Sequence, residues 1–399
     1  MTSDLPAPAT GARDGVIRVM LVDDSAVIRG LFTRALEADP ELQVVASVGD
    51  GKMAVASLKR TPVDIIILDI EMPVMDGLTA LPLLKEVLPD VRVIMASTLT
   101  RKNAEVSLRA MRDGAADYVT KPSSTSELTS AEHFKQELIA KIKALVGSRR
   151  SPRLDRPGMP VRPASAAPSS APAASHAATA AAAGDRHPLF PRAKGGPLTL
   201  RPMVHDVPEV IAIGSSTGGP QALFQVLGNL PKNLRQPILI TQHMPATFTT
   251  ILAEHLTRIA DRPCAEATDG VVIQPGHIYV APGDFHMVAE SQGTTKVLRL
   301  LKTPPENFCR PAVDPMLRSL SAIYGRRLLV VILTGMGQDG MRGADVVAQS
   351  GGMIIGQDEA SSVVWGMPGA VATAGLCSAI LPLSDIGPFI LKQAMRTAA

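Results

Sequence analysis

Between Gly147 and Asp206 the chain carries 10 proline and 13 alanine residues and almost no large apolar side chain. Such a stretch cannot bury enough apolar surface to offset its ordering entropy, and the Ser, Gly and Pro around residues 177–183 favour an extended spacer over a sustained helix. Two folded units must therefore flank it. The chain divides into a flexible N-terminal tail (1–15), a first unit (16–145), a Pro/Ala-rich linker (146–206) and a second unit (207–396). With 399 residues and 46% hydrophobic content, both flanks are large and apolar enough to hold a core.

The spacer also holds the basic surplus. It has 9 Lys/Arg against 3 Asp/Glu, while the remainder of the chain sums to minus three. With only 3% aromatic residues and no basic surface outside the spacer, nucleic-acid binding is not expected. No run approaches the roughly 18 apolar residues of a membrane span, and the start, with Asp4 and two early prolines, does not read as a signal segment. A cytoplasmic protein without membrane insertion is expected. Cys264, Cys309 and Cys377 are odd in number and far apart, which suits reduced thiols rather than a disulfide framework or a CxxC site.

In the first unit, short apolar runs at 17–22, 44–48, 65–68, 91–96 and 117–119 alternate with helix-like periodicity, a five-strand βα pattern. It predicts a parallel sheet covered by helices, with chemistry at the carboxyl ends of the strands. Asp23 and Asp24 follow the first strand and Asp69 closes the third, so three carboxylates converge on one sheet edge. Hard oxygen ligands of this kind suit Mg2+, which would neutralise phosphate oxygens while Asp69 attacks phosphorus, although by themselves strand-end acidic residues that cap helices or face water fit these positions better. Ser97 and Lys121 end two further strands and bring a hydroxyl and a cation to the same edge; Pro122 offers a cis peptide to turn the lysine inward.

Asp23-Asp24, Asp69-Ile70-Glu71-Met72-Pro73 with Met75-Asp76-Gly77, Ser97 and Lys121-Pro122 together resemble the receiver domain of bacterial response regulators. The resemblance implies that Asp69 accepts phosphate from a histidine kinase, that Asp23, Asp24 and Asp69 hold Mg2+, that Ser97 and Lys121 contact the acyl phosphate, and that Tyr118 is an aromatic switch.

The second unit repeats the α/β grammar, with strands at 210–213, 238–241, 277–281, 328–333 and 353–355 and helices at 223–230, 249–260, 314–323 and 339–350. An antiparallel hairpin around Gly293 (284–301) makes a mixed, mostly parallel sheet the expectation. The first of these strands runs into Gly214-Ser215-Ser216-Thr217-Gly218-Gly219-Pro220, which sets a hydroxyl on a strand-to-helix turn whose amides can meet negative charge. Gly214-x-Ser216-x-Gly218 fits a nucleophile elbow, but a Gly-rich phosphate loop or a plain helix cap fits as well. The dinucleotide Gly-x-Gly-x-x-Gly spacing and the P-loop lysine are absent. A serine nucleophile needs a base and the base an orienter. His243 and Asp339 both follow apolar strands of the same unit, whereas His255 falls inside a helical stretch and His277 at a strand edge.

The order Ser, His, Asp differs from that of α/β-hydrolases. With Gln242-His243-Met244-Pro245, Asp269-Gly270, Arg310-Pro311-Ala312-Val313-Asp314 and Thr334-Gly335-Met336-Gly337-Gln338-Asp339-Gly340, it resembles the catalytic domain of the protein-glutamate methylesterases of bacterial chemotaxis. The resemblance implies Ser216 as nucleophile, His243 as general base and acid, Asp339 as orienter, Thr217 and Met336 as oxyanion or pocket contributors, and Arg310 as a substrate-binding candidate. The hydrolase step needs no cofactor. Ser215 stands in place of alanine and Cys309 in place of histidine, departures that bear on substrate fit.

The reaction so implied is hydrolysis of glutamate γ-methyl esters on chemoreceptors, releasing methanol, with glutamine deamidation beside it. The partners are methyl-accepting chemoreceptors and a chemotaxis histidine kinase, and the enzyme is recruited to membrane receptor arrays. An unphosphorylated receiver obstructs the catalytic cleft in that family. A small-molecule esterase or amidase, a non-enzymatic adaptor and a transcription factor are the rivals; the first lacks a lid-like insertion, the second sits ill with intact Ser216, His243 and Asp339, and the third lacks a helix-turn-helix or finger pattern.

Overall fold

The computed structural model describes residues 15–121, 128–150 and 198–396. Most of the expected linker and tail, and the Lys121–Pro122 bond, lie outside the described residues. The first unit runs β1 (Ile17–Val22), α1 (Ala26–Glu37), β2 (Leu42–Val48), α2 (Gly51–Leu58), β3 (Ile65–Asp69), α3 (Gly77–Val87), β4 (Arg92–Ser97), α4 (Arg101–Arg112), β5 (Asp117–Thr120) and α5 (Leu128–Arg150). The strands form one parallel sheet in the order β2-β1-β3-β4-β5. Every residue of β3 is buried, as a strand covered by helices on both faces requires. Ser25, Asp50, Asp76 and Thr100 start α1 to α4 by accepting the amides of Ile28, Met53, Thr79 and Asn103.

The second unit runs β6 (Val210–Ser215), α6 (Gly219–Gly228), β7 (Ile238–Gln242), α7 (Ala246–Ala260), β8 (Cys264–Glu266), β9 (Ile278–Val280), β10 (His286–Gln292), β11 (Thr295–Leu301), α8 (Val313–Tyr324), β12 (Leu328–Ile332), α9 (Met341–Gln349), β13 (Met353–Gln357), α10 (Met367–Thr373), β14 (Ala379–Leu381) and α11 (Leu383–Ala394). Seven strands pair in the order β14-β13-β12-β6-β7-β9-β8, and every pairing is parallel. The expected hairpin exists as β10 and β11 but stands apart as a two-stranded sheet, so it does not mix the main sheet. The three-residue strands β8 and β14 escape a reading of periodicity because they are too short to show one. α6 begins at Gly219, four residues before the expected start, since Pro220 suits a first helical turn whose amides lack acceptors.

Residues 201–206, which composition assigns to the spacer, lie against this second unit. Arg201 donates to the carbonyls of Ala348 and Gly352, and Met203 and Val204 pack on the core. α4 of the first unit packs on α6 and α7 of the second, and one hydrophobic cluster runs from Met111, Ala115 and Tyr118 into Phe224 and Phe248. The rim of this contact is polar: Arg101 pairs with Glu254 at 2.6 Å, and Gln221 donates to the Ala115 carbonyl. Among the described residues no helix is long and apolar enough to cross a membrane.

Candidate active site

β12, β6 and β7 are neighbours in the sheet, so the loops that leave their carboxyl ends meet. They carry Asp339, Ser216 and His243. Ser215 pairs with Gln242 in register, which puts Ser216 and His243 one step beyond the ladder on adjacent strands. Gly335 lets the β12 loop close on the serine, because a Cβ there would stand 2.9 Å from Ser216 Cβ. Gly218 opens α6 at φ 75°, a left-handed conformation that costs other residues about 1 kcal/mol.

Asp339 is 2% exposed and held on every side. Its Oδ2 accepts His243 Nε2 at 2.8 Å and the Val313 amide at 2.6 Å; its Oδ1 accepts the amides of Asp314 and Gly340 and the Asn307 side chain. Val313 and Asp314 open α8, so the carboxylate sits at the positive end of a helix dipole. Burial favours the neutral acid, but His243 and these amides outweigh it and hold Asp339 below the usual carboxylate range. Asp314, whose Oδ2 shares Asn307, is pushed up by burial and by the charge of Asp339.

His243 is bound at both ring nitrogens. Nε2 meets Asp339, and Nδ1 faces Cys309 Sγ at 3.4 Å. Burial alone would keep the ring neutral; Coulomb attraction to the Cys309 sulfur, then the Asp339 hydrogen bond, push it up to about 10. Ser216 Oγ is not among its hydrogen-bond partners. The structure thus brings His243 and Asp339 into contact and leaves the serine beside them, its carbonyl accepting from Gln242 Nε2 and its amide donating to the Thr334 carbonyl.

The other candidates divide. Thr217 Oγ1 donates to Asp117 Oδ2 of the first unit at 2.9 Å, so its hydroxyl is turned away from a reacting carbonyl. Met336 packs with Val363 and Val364 against the first unit's core. Arg310 is engaged with Asp284 Oδ1 at 2.8 Å and the Thr303 carbonyl at 3.0 Å, which makes its guanidinium part of the loop scaffold. Ser215 is fully buried and donates to Gln242 Oε1 at 2.7 Å, so it orients the amide behind Ser216 and does not line a substrate pocket. Asn307, which bridges Asp339 and Asp314, escapes a sequence reading. Its signal is a lone polar side chain ahead of the Arg310-Pro311 motif, indistinguishable in sequence from a loop asparagine.

A second cluster lies on the first unit. Asp23, Asp24 and Asp69 offer carboxylate oxygens within 4.8 Å of one another. Lys121 Nζ lies 2.6 Å from Asp69 Oδ1 and 2.7 Å from Asp23 Oδ2. The lysine thus holds one oxygen each of Asp23 and Asp69 at this sheet edge. Three carboxylates converging at one sheet edge, two of them buried, are a hard oxygen donor set that fits a divalent cation. Burial pushes the Asp69 carboxyl up against the pull of Lys121; the lysine itself is raised, because its two carboxylate partners outweigh its burial. Ser97 Oγ is turned to the Thr98 carbonyl. Tyr118 is buried and stacks on Phe248 at 4.3 Å between ring centroids.

The family model described as CheB methylesterase matches residues 211–390, and that of the response regulator receiver domain matches residues 19–132. The chain is 60% identical over 398 residues to a Paramagnetospirillum magneticum protein named protein-glutamate methylesterase/protein-glutamine glutaminase 1, covering 99% of this chain and all of that one. It is 61% identical over 385 residues to a Rhodospirillum centenum protein named protein-glutamate methylesterase/protein-glutamine glutaminase of group 2 operon, covering 96% and 95%. Among solved structures, the catalytic domain of Thermotoga maritima CheB methylesterase aligns with 41% identity and a TM-score of 0.46, covering 46% of this chain and 98% of that one.

Proposed function

Because this chain belongs to the protein-glutamate methylesterase family, we propose that it hydrolyses glutamate γ-methyl esters and deamidates glutamines on chemoreceptors through Ser216, His243 and Asp339, under control of phosphorylation at Asp69. The observation that carries the catalytic part is the His243 Nε2–Asp339 Oδ2 contact at 2.8 Å beside Ser216. With Nε2 given to Asp339, the base is Nδ1. Ser216 Oγ attacks the side-chain carbonyl carbon as Nδ1 takes its proton, and Asp339 steadies the imidazolium. The backbone amides of Thr217 and Gly218, in the turn just after the serine, would supply donors for the tetrahedral oxyanion. Collapse breaks the C–O bond, His243 protonates the methoxide, and methanol leaves. Water, deprotonated by His243, then cleaves the acyl-serine and returns a glutamate carboxylate; with glutamine the leaving group is ammonia.

Control runs through the interface. Asp117 holds Thr217, next to the nucleophile, while the adjacent Tyr118 packs on Phe248 of α7, three residues past Pro245 in the loop that carries His243. A receiver docked in this way covers the site and holds both of its loops. Asp69 takes a phosphoryl group from a histidine kinase, its carboxylate oxygen forming the P–O bond as the donor's P–N bond breaks. Asp23, Asp24 and Asp69 would hold Mg2+, whose charge would neutralise the phosphate oxygens. Lys121 and a rotated Ser97 hydroxyl would contact the acyl phosphate, and the added charge shifts the docked state toward release. Recruitment to receptor arrays follows from the substrate.

Methanol release from membranes carrying glutamyl-methylated receptors tests the reading. Release by wild type and none by Ser216→Ala supports it; equal release by both refutes it.

A further inference from the structure

A base must reach the serine through Nδ1 of His243, yet that atom faces a thiol. We propose that Cys309 is a positioning residue of the esterase: it occupies His243 Nδ1 in place of Ser216 and holds the histidine out of its base form. The inference rests on the methylesterase reading and deepens it, adding a restraint that lies inside the catalytic unit and is separate from the receiver.

Three observations carry it. First, Asp339 fixes Nε2 and is itself held by four other donors, so the ring has only Nδ1 to offer and little freedom to turn. Second, Cys309 Sγ lies 3.4 Å from that nitrogen, while Ser216 Oγ has no hydrogen bond to it. Third, the segment ahead of the cysteine is built to deliver it. Asn307 and Phe308 adopt left-handed backbone at φ 51° and 64°, a conformation costing non-glycine residues roughly 1–2 kcal/mol each. Reciprocal backbone bonds between Glu306 and Cys309 close this turn, and Asn307 ties it to both Asp339 and Asp314. The asparagine that steadies the orienter therefore also sets the sulfur over the base.

The charged groups around the ring are few. Asp339 and Cys309 face it directly; Asp314 lies behind Asp339, and Arg318 of α8 sits near both carboxylates while paired with Glu306. Of these, Cys309 alone meets Nδ1. Its removal leaves the Asp339 pair intact and takes away the one partner at Nδ1, which favours the protonated ring.

The test uses the full chain as wild type, Cys309→Ala and Cys309→Ser. The His243 ring titration is followed by NMR with ring-labelled histidine, assigned against His243→Gln, and the pH profile of kcat/KM is measured for methanol release from methylated receptor membranes. In Cys309→Ala the His243 midpoint falls by about one pH unit or more, because the partner at Nδ1 that raises it is gone, and the acid limb of the profile falls with it. Each unit is about tenfold more neutral base at pH 7. Cys309→Ser, which keeps a hydrogen-bonding group at Nδ1, moves the midpoint less than Cys309→Ala does. An unchanged midpoint in Cys309→Ala, including one accompanied by an equal loss of activity at every pH, overturns the proposal. If no form releases methanol the methylesterase reading fails, and the titration still decides the role of Cys309.

Discussion

Thr217 and Asp117, 100 residues apart and on opposite sides of the Pro/Ala-rich segment, share a buried hydrogen bond of 2.9 Å. Thr217 follows the candidate nucleophile, and Asp117 opens β5, whose carbonyl at Tyr118 accepts from Lys141 Nζ. Lys141 also pairs with Asp117 and Glu137; burial opposes its charge, but the two carboxylates outweigh it and raise the ammonium above its ordinary value. The loop after β6 is thereby fastened to β5 and α5 of the receiver.

If docking restrains catalysis, weakening its rim raises the basal rate. Arg101 and Glu254 are an exposed pair, of the kind worth about 0.2–1 kcal/mol, and the corresponding change in the undocked fraction is at most about fivefold. Arg101→Glu in the unphosphorylated chain should release methanol about two- to fivefold faster than wild type. Adding Glu254→Arg should restore the wild-type rate; a double variant as fast as the single would exclude this pair from the restraint.

Asp339→Asn removes the acceptor that orients His243 and is expected to lower kcat by about 10^3–10^4 with KM little changed. Steady-state kinetics on the phosphorylated form checks this. A fall of less than tenfold would mean that the 2.8 Å contact does not serve the base.

Ser215→Ala leaves Gln242 Oε1 buried without its donor, a loss of about 1–3 kcal/mol. Urea denaturation should show a lower midpoint at unchanged slope. Full stability with altered substrate preference would return Ser215 to the pocket.

His243 is raised from 6.5 to about 10, so its partners favour the protonated, folded form. The resulting stabilisation is complete below about 6.5 and disappears as pH climbs through about 10. The difference in urea midpoint between wild type and His243→Gln should therefore shrink steadily over that window. A difference that is constant from pH 6 to pH 10 contradicts the shift.

Much of the candidate site can be read from the sequence because its residues follow apolar strands. Asp69, Ser216 and His243 stand where a buried run gives way to a loop, Asp339 lies seven residues past β12, and a parallel sheet collects such loops at one edge. What the chain conceals are contacts made by folding the loops themselves. Asn307 reaches Asp339 through a left-handed turn, and nothing in its local sequence distinguishes it from a surface asparagine. Arg310 reads as a free cation until the loop after β9 brings Asp284 to it. Ser215 and Ser216 look alike as neighbours, yet alternation along the strand end turns the first inward to Gln242 and leaves the second half-buried at the site. The Thr217–Asp117 bond crosses between two domains, where local periodicity carries no information.

The central claim joins two chemistries, phosphoryl acceptance at Asp69 and ester hydrolysis at Ser216. It is tested most directly by the rate of methanol release from methylated receptor membranes, with and without Mg2+ and a small phosphodonor, for wild type and Asp69→Asn. The account predicts that the phosphodonor accelerates wild type and leaves Asp69→Asn at its basal, Ser216-dependent rate. Equal acceleration of both proteins, or of neither, would contradict it.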